Sequence, residues 1–333
     1  MHCHTANSRT VLSTAWSTFI AAAALAVAGP ALAQTKLKWA HVYETSEPYH
    51  SESVWAAEEI KKRTAGKFDI QVFPASSLGK ETDINQGMQL GTVDMIISGP
   101  SFAARSYPRL GIAYYPFIFR DGDHLLAYSK SAVFKEMIDG FRDKTGIQIL
   151  AYTYYGARHP PAQKAFTDCA GMKGIKIRVP DVPAYRATPE ACGANPTPIA
   201  FAEVYLALQN GTVDAQENPL TTIEAKKFYE VQKHIMLTGH IIDGLTTQVA
   251  PHVWSKISDA DKKVFSEVTL EAAARATAQI KKREAELVDE FKKKGLGIHA
   301  VNRQSFVDAV LKSKSVESMG FERKDYDRIV AAK

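Results

Sequence analysis

The sequence predicts an α/β protein of two similarly planned lobes, with a ligand cleft between them and a long helix crossing both. Three observations predict it. Short strand-like runs alternate with segments of helical period, the βαβ rhythm of an open sheet covered by helices. The phrase Gln89-Leu-Gly-Thr-Val-Asp94 returns as Gln209-Asn-Gly-Thr-Val-Asp214. Finally, Ser258 to Lys294 contains neither proline nor glycine.

The elements follow in chain order. Residues 1–33 read as a secretory leader, with Arg9 as the positive start and an apolar run from Ala15 to Ala28. Ala31-Leu32-Ala33 gives a small-x-small site, so cleavage is expected after Ala33 and export to the periplasm follows. That run is too short to span the roughly 30 Å of a bilayer core. Lys36 to Val42 is extended. An amphipathic helix from about Glu52 to Thr64 carries Val54, Ala57 and Ile60 on one face, and Gly66 supplies a left-handed stop. Phe68 to Phe73 alternates as a strand, and Asp83 to Leu90 reads as a helix. Each copy of the repeated phrase ends a helix, turns at glycine and enters a strand, Met95–Ile97 in the first and Ala215–Glu217 in the second. Beyond the turn the copies diverge, as two lobes facing one cleft require. Ser258-Asp-Ala-Asp261 resembles a capping box, and Gly295 ends the helix that follows. At ~1.5 Å per residue it would reach about 54 Å, unless broken near Ala272 to Ala276.

Composition narrows the function. The chain is 45% hydrophobic and 23% charged, ordinary for a globular protein. Without Arg9, 40 basic and 36 acidic residues leave +4, dispersed rather than clustered; this suits anionic solutes and gives no basis for nucleic acid. Cys169 and Cys192 remain after the leader. In an oxidising compartment they could bridge, or stay as two buried thiols.

Sequence motifs of dinucleotide, phosphate-loop, serine-hydrolase and zinc-protease sites are missing. His41, Glu44, Glu47 and His50 are metal-ligand types at a spacing that matches no zinc or calcium pattern. Arg178 stands at the carboxyl end of the run Gly174-Ile-Lys-Ile-Arg-Val-Pro180, where open sheets bind ligands. A guanidinium makes two parallel charge-assisted hydrogen bonds to a carboxylate; the alternative is a rim arginine paired with Asp181. Arg158, in Tyr154-Tyr-Gly-Ala-Arg-His159, could hold the same ligand or brace the site from behind.

These words, with Gly193-Ala-Asn-Pro-Thr-Pro-Ile-Ala-Phe201, Glu203-Val-Tyr-Leu-Ala-Leu-Gln209 and Gln216-Glu-Asn-Pro-Leu220, resemble the signature region of the solute-binding proteins of TRAP transporters, the DctP-type family. Similarity continues through Phe228-Tyr-Glu-Val-Gln232 and Gly239-His240 and covers essentially all of the mature chain. The resemblance implies a two-lobed periplasmic binding protein fold, with residues 34–156 and about 244–283 in one lobe, and 157–243 and about 284–333 in the other. It implies that Arg178 binds a carboxylate, that Arg158 and Asn218 face the ligand and that Phe201 packs on it. Glu217 and His240 would form a buried network behind Arg158.

The chain departs from sialic-acid binders in lacking their asparagine near Val42 and acid near Gly99. Arg186, usually apolar in relatives, is a solvent-facing residue or an extra anion contact. Glu81, His41 and Glu47 are expected to meet ligand hydroxyls, which points to a hexuronate such as glucuronate or galacturonate. An aromatic or C4 acid, against Tyr43, Tyr154 and Tyr155, is the alternative. The expected protein is a monomer without cofactor or catalysis that delivers its acid to TRAP membrane subunits. A periplasmic enzyme acting on acidic sugars and a sensor docking on a receptor are the other classes.

Overall fold

In the computed structural model, which describes residues 34–333, the runs expected at Lys36–Val42 and Phe68–Phe73 form strands, at Thr35–Ala40 and Phe68–Phe73. The leader expected at residues 1–33 lies outside the described residues. Eleven strands can be followed among them: β1 Thr35–Ala40, β2 Phe68–Phe73, β3 Met95–Ser98, β4 Gln148–His159, β5 Pro161–Ala162, β6 Lys176–Val179, β7 Asn195–Pro198, β8 Asn218–Pro219, β9 His234–Met236, β10 Ile242–Val249 and β11 Gly297–His299. The first lobe is built on a six-stranded sheet in the order β2-β1-β3-β10-β4-β8. β1 runs parallel to β2 and β3, while β10 is antiparallel to β3 and β4. The second lobe carries β11-β9-β5 and β6-β7, joined through Ala215, which bridges Ala162 and Ile177. Burying apolar side chains against these sheets provides the cores: Trp39, Phe68 and Ile96 in the first, Ile235, Leu287 and Phe291 in the second.

The repeated phrase builds the same junction twice. Gly91 and Gly211 both adopt positive φ, 76° and 68°, which glycine does without a Cβ clash. The side chain of Asp94 accepts from Lys38 N at 2.7 Å, and that of Asp214 from Lys176 N at 3.0 Å. Each aspartate therefore pins its junction to a strand of its own lobe, β1 in the first and β6 in the second. The strand expected at Ala215–Glu217 is corrected to a single bridging residue. Gln216 N donates across to Pro161 O, and Glu217 turns inward toward the cleft base.

The helix from Asp259 to Lys293 is unbroken, with Ser258 Oγ capping Asp261 N at 3.2 Å. Its first half packs on helix Pro48–Arg63 and β4, and its second half reaches helix Leu220–Ala225 and β11. It crosses both lobes, as expected. The final helix, Arg323–Val330, returns to the first lobe, because buried Asp325 receives Arg109 and Ile329 joins that core. The expectation that placed all of 284–333 in the second lobe is corrected there. Cys169 and Cys192 form a disulfide with a Cα separation of 5.0 Å. Among the described residues, no helix is long and apolar enough to cross a membrane.

Candidate functional site

Between the lobes lies a cavity lined by Tyr43, Glu81, Tyr155, Arg158, Arg178, Tyr185, Phe201, Asn218 and Asp243, with Val42, Gly99 and Phe102 closing its edges. β6 delivers Arg178 at its penultimate residue, before Pro180 stops the ladder. β4 delivers Arg158, and β8 pairs with it so that Asn218 stands beside the guanidinium. Gly156 permits this approach: its φ is 129°, and a Cβ there would lie 2.6 Å from the Cβ of Pro219.

The two arginines are both buried and differ in their partners. Arg158 Nε and Nη2 grip the carboxylate of Glu217 at 2.5 and 2.7 Å, and Nη1 donates to Asp243 Oδ2 at 2.8 Å. His240 Nε2 lies 3.2 Å from Glu217, completing the expected network. Burial opposes the charge on Arg158, but the pull of Glu217 prevails and holds its pKa well above the ordinary value. Glu217 is correspondingly held below the carboxylate range, Arg158 overcoming burial.

Arg178 has no such partner. Its Nε donates to Ile199 O at 2.9 Å, and no ion pair joins it to a carboxylate among the described residues. Asp181, the rim partner considered from sequence, pairs instead with Arg105 at 2.8 Å. Burial chiefly, with the charge of Arg158 adding and Glu217 opposing, pushes Arg178 down to about 10. The group remains a cation at neutral pH. Phe201 faces it, ring centroid 5.8 Å from the guanidinium carbon, and Tyr43 stands 6.4 Å from Phe201. Glu81 anchors the opposite wall: Ser98 Oγ and Gly99 N donate to its Oε1 at 2.8 and 3.1 Å. Burial pushes its pKa up to about 7.

The structure therefore brings together Arg178, Arg158, Asn218, Phe201 and Glu81 in one cavity, with Glu217 and His240 behind. His41 and Glu47 are corrected: neither lines it. His41 is buried against His50, Nε2 to Nδ1 at 3.3 Å, and burial with the neighbouring His50 pushes it down to about 3. Glu47 receives Thr222 Oγ1 at 2.9 Å while Glu44 pairs with Lys226 at 2.6 Å. This loop clasps helix Leu220–Ala225 of the opposite lobe instead of facing the ligand space. Tyr154 is likewise outside, bonded to Glu284 at 2.7 Å, and Arg186 pairs with Glu190 at the surface. Asp243 and Tyr185 escaped sequence reading. An acid inside the apolar run Ile241-Ile-Asp-Gly-Leu245 was the available signal for the first, because a buried charge needs a partner.

A cavity with a buried free guanidinium, aromatic walls and carboxyl acceptors is suited to holding an anion rich in hydrogen-bond donors. Comparison with known proteins agrees. The DctP family model, described as bacterial extracellular solute-binding protein, family 7, matches residues 39–316. Solute-binding protein RD1_1052 of Roseobacter denitrificans is 32% identical over 89% of this chain and 92% of its own. Its crystal structure, with bound L-galactonate, superposes with a TM-score of 0.81, covering 86% of this chain and 99% of that one. A TRAP periplasmic solute-binding protein from Polaromonas, bound to D-erythronate, is 31% identical with a TM-score of 0.86 over 90% and 99% of the two chains. A second Roseobacter denitrificans TRAP protein, with bound β-D-glucuronate, is 25% identical with a TM-score of 0.84 over 90% and 100%.

Proposed function

Because the chain belongs to family 7 of the bacterial extracellular solute-binding proteins, the DctP family, we propose that it captures a sugar acid in the periplasm for TRAP membrane subunits and performs no chemistry on it. The carrying observation is Arg178, a buried cation whose side chain, among the described residues, hydrogen-bonds only a backbone carbonyl. The ligand carboxylate supplies its missing counter-ion. Arg158, already neutralised by Glu217 and Asp243, presents Asn218 and holds the cavity base. Phe201 covers the carboxylate, and Glu81 accepts from a hydroxyl.

The lobes close around the acid. Arg105–Asp181 and Glu44–Lys226 ion pairs link them on either side of the cavity. A ligand favours the closed form only through contacts absent from the open one. Arg178 on one lobe and Glu81 on the other supply that difference. The lobe limits remain 34–156 with about 244–283, and 157–243 with about 284–333, amended by the return of Arg323–Val330 to the first.

Within the sugar acids, a hexuronate such as glucuronate or galacturonate is the reading first suggested by the hydroxyl acceptors. An open-chain aldonate is the second reading. It is favoured by the closeness of Tyr43, Tyr155 and Phe201 (Tyr43–Tyr155 centroids 5.4 Å apart) and by the L-galactonate and D-erythronate held in the relatives. Thermal-shift titration of refolded protein separates them. An acid binding only the folded state adds about 2.7 kcal/mol at a hundredfold excess over its Kd. Uronates or aldonates that shift Tm, with the acid recovered unchanged, support the reading. A response confined to aromatic or C4 dicarboxylic acids, or to the uncharged alditols, would sink it.

A further inference from the structure

We propose that Asp243 reads a ligand hydroxyl, its Oδ1 being the acceptor by which the cavity prefers a polyhydroxylated acid to a plain acid of the same length. The inference rests on the sugar-acid reading of the cavity and deepens it. Asp243 is 2% exposed and lines the ligand space beside Arg178 and Tyr185. Its two oxygens are treated differently. Oδ2 accepts from Arg158 Nη1 at 2.8 Å, whereas Oδ1 is buried with no hydrogen bond assigned to it among the described residues. The Tyr114 hydroxyl is within hydrogen-bonding reach of Asp243, but its single hydrogen points to Gly244 O at 2.9 Å.

Backbone geometry holds this aim. β10 pairs Asp243 with Gly156 and Gly244 with Tyr154, so β4 carries an extra residue, Tyr155, opposite this point, and the bulge adds local twist beside Asp243. An unsatisfied buried carboxylate oxygen is unfavourable unless a donor reaches it. Arg158 serves Oδ2 and Gly244 O takes the Tyr114 hydrogen, which leaves Oδ1 to a donor from the cavity side. Sugar-acid hydroxyls are such donors. The acid group is drawn to the unpaired cation Arg178, which leaves Asp243 to a hydroxyl.

Calorimetric titration of L-galactonate and its monodeoxy analogues (L-fuconate is the C6 one) into wild type and Asp243→Asn tests it. Arg158 would keep the asparagine oxygen, leaving the amide to face the ligand and turning an acceptor into a donor. Wild type should lose roughly tenfold to a hundredfold in affinity when one particular hydroxyl is removed. In Asp243→Asn that hydroxyl should matter less than about threefold, with the other analogues unaffected in rank. A purely structural role would weaken every ligand alike and overturns the proposal. If the variant does not fold, the crystal structure of the wild-type complex decides: a ligand hydroxyl oxygen roughly 2.5–2.7 Å from Oδ1 supports it, and any other occupant overturns it. Wild type that binds none of these acids overturns the cavity reading and this one with it; binding without hydroxyl selectivity overturns the role of Asp243 alone.

Discussion

Arg158 and Arg178 sit in one cavity, both buried, and serve opposite ends of the protein's economy of charge. Around Arg158 the fold has completed the electrostatics: two carboxylates, an asparagine and a histidine are arranged before any ligand arrives. Around Arg178 it has stopped short, leaving a desolvated cation against an aromatic face. The difference teaches that a charged residue in a cleft is assigned by its partners and not by its type. A satisfied arginine is part of the scaffold; an unsatisfied one marks where the ligand's opposite charge goes.

The comparison breaks most visibly on stability. Arg158→Met strands Glu217 and Asp243 as buried, uncompensated carboxylates and should cost about 3–5 kcal/mol, read as a fall in Tm and in the denaturant midpoint. Equal stability to wild type would mean the network is not structural. Arg178→Met removes an unpaired buried charge, so ligand-free stability should hold or rise. Its acid affinity should drop by about 2–5 kcal/mol, at least thirtyfold in calorimetry. Reversal of these two phenotypes would exchange the roles assigned to the arginines.

Protonation sharpens the contrast further. Glu81 and Glu47 are both pushed up to about 7 by burial, from an ordinary 4.5. The folded protein therefore holds protons that the unfolded chain has released between about pH 4.5 and 7. Stability from these groups is fully present below 4.5 and lost as pH rises through 7, on the order of 3 kcal/mol each. Ligand-free Tm should fall across that window, and Glu47→Gln and Glu81→Gln should each flatten part of the slope. A Tm that climbs between pH 5 and 8 in wild type, unchanged by either variant, contradicts this. The smallest effect belongs to Phe201, a half-buried ring. Phe201→Ala should weaken the acid about tenfold, or ~1.4 kcal/mol, with little change in stability.

How much was legible in the sequence follows the same division between local and long-range physics. Phe68–Phe73 and the cap at Ser258 were readable because alternation and capping act within a few residues. The echoed Gly-Thr-Val-Asp was readable as a repeat, and the structure supplies its reason in the two aspartates that pin Lys38 and Lys176. Arg178 was legible because a strand end before proline fixes where the side chain stands. Glu47 was misplaced because its partner Thr222 is set by how a loop meets the opposite lobe, and His41 because the same loop folds its ring onto His50. Spacing cannot encode that meeting. The turn of Glu217 away from a strand has the same origin, since its partner Arg158 lies 59 residues away. Tyr185 reaches Arg158, 4.8 Å from ring centroid to guanidinium carbon, only through tertiary packing.

The most direct test of the account is a crystal structure of the protein loaded with the acid that shifts its Tm furthest. The account predicts the carboxylate on Arg178 at roughly 2.7–2.9 Å, with Phe201 over it and the Arg158–Glu217–Asp243 arrangement unchanged. A carboxylate seated on Arg158, with Glu217 displaced and Arg178 left facing Ile199 O alone, would contradict it.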